Sequence, residues 1–311
     1  MKQIVPVLMS FILTACAASI GHSAPEPMDK LAEIQARGTL VIATDSDYVP
    51  QSKLIAGSKP GPATRCEPTQ YTASQFEGFD VDVAKELAGH LGVEACFVTP
   101  PWSQLVAGKW GDNWDVHVGS VAITFKRMQD LYFTQPYYAT ATVLLIHKDN
   151  TTYKTLEDLS GTRIGICAGC TFESYLDGTL KMPGEEIAYR IRNAQVVAYE
   201  NEDPAIEALS LGDGMALNAV MTILPKARAA IEAGKPVKML DEPVLFAYSS
   251  ITLDRAGNRD PHRLFIEINN IVNELHESGR LKELSLLYQG LDLVEEAAFY
   301  NIASLNQFAD P

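Results

Sequence analysis

Apolar positions along the chain alternate between continuous β-type runs and helical spacing. Residues 28–37 predict a short helix that Gly38 stops. Thr39 to Thr44 (Thr-Leu-Val-Ile-Ala-Thr) is a β-branched run and predicts a buried strand. Phe79, Val83, Leu87 and Leu91 fall on one helical face with Ala84 and Ala88 beside them, and Gly92 ends that helix. Cys96-Phe97-Val98 predicts the next strand, followed by a short helix from Trp102, a strand over Val116 to Ser120 and a helix start at Thr124. Further strands are expected at 142–146, 164–167, 195–198, 217–221 and 237–240, with helices at 171–180, 204–211 and 224–233. Asp260-Pro261 caps a long helix with Leu264, Ile268, Ile271, Val272 and Leu275 on one stripe, and Arg280 to Tyr288 makes one more. Strands separated by helices predict an α/β architecture with mainly parallel sheets. Two stretches stand apart from the alternation. Residues 51–74, with Gly57, Pro60, Gly61, Pro62 and Pro68, read as a long surface loop, a length that often carries function. Residues 290–311 form a tail without a pattern.

The first residues concern address. Met1-Lys2-Gln3 gives a short positive end, and Val5 to Ala18 is nearly all apolar or small, so residues 1–24 read as a secretory signal. Leu13-Thr14-Ala15-Cys16 fits lipoprotein processing, and the small residues up to Ala24 fit ordinary cleavage; both readings stand. No other stretch reaches ~18 uninterrupted apolar residues, so no transmembrane segment is expected in the mature chain. The 311 residues are 47% hydrophobic and 21% charged, a globular composition with length for about two domains. Net charge is −14, and the absence of any long Lys/Arg run argues against nucleic acid as a partner.

Catalytic motifs are scarce. The six His are scattered without a metal-type pair, and no nucleophile elbow, phosphate-binding loop or dinucleotide fingerprint occurs. Asp112, Asn113 and Asp115 lack the Gly and distal Glu of a calcium loop. No metal, no cofactor and no enzymatic activity are therefore expected. His117, set among apolar strand residues, reads as a core or cleft side chain. Cys167-Ala168-Gly169-Cys170 follows a strand and opens a helix at Thr171, the setting of a disulfide oxidoreductase. The Trp before and the Pro within such a motif are missing here, and a structural disulfide or two unreactive thiols are the competing readings. After signal removal Cys66, Cys96, Cys167 and Cys170 allow three pairings. Proximity along the chain favours Cys66–Cys96, pinning the long loop, with Cys167–Cys170 as the second pair.

Several segments together resemble the extracellular solute-binding proteins of family 3, the type II periplasmic binding class. They are Gly38 to Asp45 with Tyr48-Val49-Pro50, Gly78 to Ala88, Ile123-Thr124-x-x-Arg127, Phe133-Thr134-x-Pro136-Tyr137, and Leu156-x-x-Leu159-x-Gly161-x-Arg163-Ile164-Gly165. The resemblance implies a periplasmic protein of two α/β lobes around a cleft, each with a mainly parallel sheet, and two interlobe crossings. Lobe one is expected at 28–140 plus 247–311 and lobe two at 141–246. It also implies that Arg127 grips a ligand carboxylate, because two parallel N–H donors match two oxygens. Backbone N–H groups at Gly169, Cys170 and Thr171 would hold the same carboxylate, Ser120 would add a donor, and Tyr48 and Trp102 would flank the ligand side chain.

The departures from this family shape the functional expectation. Ala122 replaces a Ser, and the acid that receives a ligand ammonium falls near Thr222-Ile223-Leu224, where no carboxylate stands. That altered cleft, the loop with Cys66, the block Cys96 to Gly108 and Tyr132 to Tyr138 resemble the methanol-oxidation accessory proteins of the MoxJ or MxaJ type. This branch implies a periplasmic helper in assembling or activating a PQQ-dependent methanol dehydrogenase, its quinoprotein partner. The alternative is the receptor of an ABC importer for a small anionic or amphipathic solute.

Overall fold

The computed structural model describes residues 29–308; the expected signal, with Cys16, lies outside them. The chain opens with α1 (Lys30–Arg37), β1 (Thr39–Ala43), β2 (Asp47–Tyr48), β3 (Ser52–Leu54), β4 (Tyr71–Thr72), β5 (Phe76–Glu77) and α2 (Phe79–His90). It continues through β6 (Glu94–Val98), α3 (Trp102–Ala107), β7 (Val116–Ala122), the 17-residue β8 (Leu131–His147), β9 (Arg163–Cys167) and α4 (Thr171–Leu176). Then follow β10 (Gln195–Tyr199), α5 (Glu202–Ser210), β11 (Ala219–Ile223), α6 (Leu224–Glu232), β12 (Val237–Met239) and β13 (Leu245–Asp254). Three helices close the chain: α7 (His262–Glu277), α8 (Arg280–Gln289) and α9 (Glu295–Ala298).

The local chemistry of these elements is ordinary. Asp29 accepts from the Leu31 N–H at 3.1 Å to start α1, and Gly38, at φ 76°, closes it with its N–H on the Ile34 carbonyl. Gly78 is required before α2: at φ 132° a Cβ there would lie 2.3 Å from the Gln51 carbonyl oxygen. That close approach lets the Pro50 and Gln51 carbonyls accept from the first N–H groups of α2, so the segment carrying Tyr48 is tied to the helix.

The fold is the two-lobed α/β arrangement with two crossings. β1 pairs parallel with β6 and β7, and β9 pairs parallel with β10 and β11. The crossings are β8 and β13, which run antiparallel to each other from Leu131↔Asp254 to Thr142↔Leu245. Because both are long and paired throughout, they join the two halves into one ten-stranded sheet instead of leaving two separate ones. The register shifts where Ser250 meets Pro136, a residue with no N–H to give to a ladder. Two apolar clusters gather residues 31–138 with 251–294 and 41–133 (Leu40, Phe79 and Ile268; Val41, Trp110 and Phe133). Two more gather around Ile166, Tyr175 and Met221, and around Leu145, Ile206 and Val220.

Several sequence expectations need correction. The helix expected from Thr124 is one short turn, Arg127–Gln129, because β8 already begins at Leu131. The helix expected over 171–180 ends at Leu176, with Gly178 at φ 73° turning the chain away. The long loop of 51–74 contains β3 and β4, the latter pairing Tyr71 with Phe97 and Thr72 with Cys96 at the sheet edge. The tail is ordered against the first lobe's core: the Gln307 side chain exchanges two hydrogen bonds with the Phe133 backbone, and Phe308 stacks on Tyr132 at 4.2 Å.

Both disulfides form, Cys66–Cys96 and Cys167–Cys170. The first spans 30 residues and holds the long loop against β6. Chain-entropy reasoning gives it about 3.5 kcal/mol. Urea unfolding of the Cys66→Ser, Cys96→Ser double variant should show a loss of that order with the cleft otherwise intact; an unchanged midpoint would show that the loop is held by packing alone.

Candidate functional site

A cleft between the halves is walled by Asp45, Tyr48, Trp102, Ser120 and Arg127 on one side and Cys167, Cys170, Thr171, Glu202 and Ile223 on the other. Seven of the eight site residues expected from sequence line it: Tyr48, Trp102, Ser120, Arg127, Cys170, Thr171 and Ile223. Gly169 stands just beside, on the wall of an outer groove, with Trp102 3.6 Å from where a Cβ would be.

Arg127 is only 8% exposed. Its Nη1 donates to the Ala122 carbonyl at 3.1 Å and its Nη2 to the Gly169 carbonyl at 3.2 Å, across the cleft; its guanidinium lies 5.4 Å from the Trp102 ring centroid. No carboxylate pairs with it among the described residues. Burial lowers its pKa to about 10, still far enough above neutrality to keep the charge. Thr171 and Phe172, the first residues of α4, also line the cleft, and the N–H groups of a first helical turn have no intrahelical acceptor.

Ser120 departs from its expected role. It sits at φ 62°, its N–H donates to the Tyr137 hydroxyl at 2.9 Å, and its own hydroxyl donates to Asp80 at 2.9 Å. Tyr137 donates to the other Asp80 oxygen at 2.7 Å. The Ser120 proton is thus committed to a buried carboxyl in the first turn of α2, and only its lone pairs remain for the cleft. Asp80 is fully buried, and desolvation pushes its pKa up to about 7 despite these two donors.

The expected absence of an acid holds at Ile223 and fails for the cleft. Glu202, the first residue of α5, is 3% exposed and lines the cavity, as do Asp45 and Glu200. Desolvation pushes the Glu202 carboxyl up to about 7; Lys226, whose charge opposes that shift, is itself paired with Asp203 at 2.7 Å. Asn201 caps α5 by accepting from the Asp203 N–H at 3.0 Å, and so delivers Glu202 to the end of β10. An Asn followed by two acids was the available signal, since an Asn cap with acids in the first turn marks a helix start two residues before the expected 204.

His117 is completely buried, edge-on to Trp102 at 6.0 Å, and burial with the Arg127 charge lowers its pKa to about 3, so it is neutral. Trp102 Nε1 and Thr140 Oγ1, both on lining residues, have no partner among the described residues. Sγ of Cys167, Sγ of Cys170 and a Glu202 oxygen lie within 4.8 Å of one another. The two sulfurs share a bond, and a disulfide has no thiolate to offer a metal.

Two α/β halves joined by two crossing strands around a buried, charged cleft are the architecture of the type II periplasmic binding class. The sequence profile of the bacterial extracellular solute-binding proteins, family 3, matches residues 61–290, and the chain belongs to that family. It is 25% identical over 293 residues to the L-cystine-binding protein TcyJ of Escherichia coli (strain K12), covering 93% of this chain and 96% of that one. It is 30% identical over 226 residues to the histidine-binding periplasmic protein of Salmonella typhimurium, covering 70% and 81%. Among solved structures, the ancestral amino acid-binding protein AncCDT-1, a precursor of cyclohexadienyl dehydratase, aligns with a TM-score of 0.67 at 24% identity over 84% of this chain and all of that one. Holo ArgBP from T. maritima aligns at 0.63 and 22%, over 83% and 99%. Among the described residues no helix is long and apolar enough to cross a membrane.

Asp80 and Glu202 each hold a proton more tightly when folded than when unfolded. The native state therefore carries extra protons between the ordinary carboxylate range and about pH 7, and this contribution to stability is lost as pH rises through that range. Urea unfolding at stepped pH should show the stability of the native protein falling, relative to Asp80→Asn, as pH climbs from about 4 to about 7. A difference that stays flat would mean that Asp80 is ionised throughout.

Proposed function

We propose that this chain is the periplasmic receptor of an ABC importer and captures a small zwitterion of the amino-acid type. The observation that carries this reading is a pair of buried ionisable groups of opposite sign in one cavity: among the described residues Arg127 has no carboxylate partner and Glu202 has no ion-pair partner. Burying either charge alone costs several kcal/mol, and a solute bearing both complements offsets both costs at once. The ligand carboxylate meets the Arg127 guanidinium and the first N–H groups of α4; the ammonium meets Glu202; Tyr48 and Trp102 flank what lies between. Trp102 Nε1 and Thr140 Oγ1 offer two further polar contacts. The relatives support the class of solute, since those named above bind amino acids. With lobes at 28–140 plus 247–311 and 141–246, closure about β8 and β13 encloses the solute.

The accessory role toward a quinoprotein methanol dehydrogenase finds no support in these relatives, and its premise, a cleft with no acid, is removed by Glu202. The alternative expectation, a transport receptor, is the one retained, with the solute changed from anionic to zwitterionic.

Calorimetry with α-amino acids, their N-acetyl derivatives and their amides tests the pair. At least one free amino acid should bind at about micromolar Kd or tighter, and blocking either end should weaken it strongly. Arg127→Ala should cost about 2–5 kcal/mol, the usual loss when one partner of a buried charge pair is truncated. Equal binding of free and blocked forms, or none of any, would overturn the reading.

A further inference from the structure

We propose that the cleft is also a thiol–disulfide exchange site, with a small aminothiol carboxylic acid as substrate and the Cys167–Cys170 disulfide as its electron acceptor. This rests on the zwitterion reading and adds a reaction to it.

The disulfide is part of the cavity wall. Cys167 and Cys170 both line the cleft, one 2% exposed and the other half-buried, and both sulfurs lie within 4.8 Å of a Glu202 oxygen. An ammonium held by Glu202 therefore sits beside the sulfur–sulfur bond. In an aminothiol carboxylic acid whose nitrogen and sulfur are separated by two carbons, anchoring the nitrogen brings the thiol to that bond. Arg127 fixes the carboxylate end, so the approach is ordered by two charges before any sulfur reacts. Cys170 borders a second space as well, the outer groove walled by Phe125, Ser174 and Leu180, so it is reachable from both sides. Cys66–Cys96 offers the contrast. Cys96 is fully buried on β6, and neither sulfur reaches the cleft.

The reaction balances without an outside oxidant. The solute thiolate, its proton lost to water, attacks Sγ of Cys170; a solute–Cys170 bond forms, the Cys170–Cys167 bond breaks, and Cys167 leaves as a thiolate that takes up a proton. A second solute thiolate attacks the solute sulfur of the mixed disulfide and releases Cys170 as a thiolate, which is protonated in turn. Two solute thiols are oxidised to one solute disulfide, and one protein disulfide is reduced to two thiols. The reverse exchange with solute disulfide restores the protein.

The test uses the oxidised full chain with cysteine, 3-mercaptopropionate or β-mercaptoethanol, compared at equal thiolate concentration. Samples are alkylated at intervals and the two disulfides are followed by peptide mass. Cysteine should open Cys167–Cys170 at least about tenfold faster than β-mercaptoethanol, the advantage of a thiol oriented by binding, and should leave Cys66–Cys96 closed. Glu202→Gln and Arg127→Ala should each bring the cysteine rate toward that of β-mercaptoethanol. Equal rates for all three thiols, or equal opening of both disulfides, would overturn the proposal. Alanine binding is measured in parallel on the Cys167→Ser, Cys170→Ser variant. Alanine bound without any cysteine preference defeats the exchange and leaves the receptor standing, while failure of every free amino acid of the calorimetric series to bind that variant and the native protein alike defeats both.

Discussion

A guanidinium buried without an anion is the constraint around which this cleft is arranged. Desolvating Arg127 costs several kcal/mol that two carbonyl oxygens and an aromatic face offset only in part. The two carbonyls belong to different halves of the molecule, Ala122 at the end of β7 and Gly169 in the turn before α4. This one side chain therefore ties the halves together, aided by the Phe125 N–H on the Lys181 carbonyl at 3.1 Å. Burial of this charge and contact between the halves therefore depend on the same side chain.

The cleft's two proton-holding carboxyls show how environment separates roles within one chemistry. Both are pushed to about 7 by burial. Asp80 receives two hydroxyl donors and holds Ser120 in a left-handed conformation, so it is structural, shaping the floor from beneath. Glu202 lines the cavity, and among the described residues no hydroxyl donates to it; only the Lys226 charge and its own backbone N–H oppose the burial penalty. Equal shifts in pKa say nothing about function until the hydrogen-bond partners are counted.

Much of the fold was legible in the sequence because β-branched runs and helical stripes report burial directly; β1, α2, β9 and α7 lie close to where their patterns place them. The crossings were less legible. β8 mixes Thr134, Gln135, Pro136 and two Tyr with apolar residues, and strands buried on both faces lose the alternation that marks a strand. The site was half visible. Arg127, Tyr48 and Trp102 stand in recognisable segments near the ends of strands, whereas the buried acid that lines the cleft, Glu202, lies at the start of α5 and away from the segment around Ile223. Reading the empty position at Ile223 as an uncharged cleft treated a site as a sequence slot, when the cavity is defined by whatever side chains reach it. Strand ends β10 and β11 open on the same crevice, so either can deliver a carboxylate there.

The Cys167–Cys170 crosslink sits beside the residues that join the two halves. The bond closes the turn that carries Gly169, at φ 76°, whose carbonyl accepts from Arg127. The crosslink removes conformational freedom from the turn that presents this acceptor. By linkage, any solute that stabilises the closed arrangement must favour the intact turn to the same degree that the intact turn favours the solute. The Cys167–Cys170 bond stands beside the Gly169 carbonyl that accepts from Arg127, so it belongs to the same few residues through which the two halves touch.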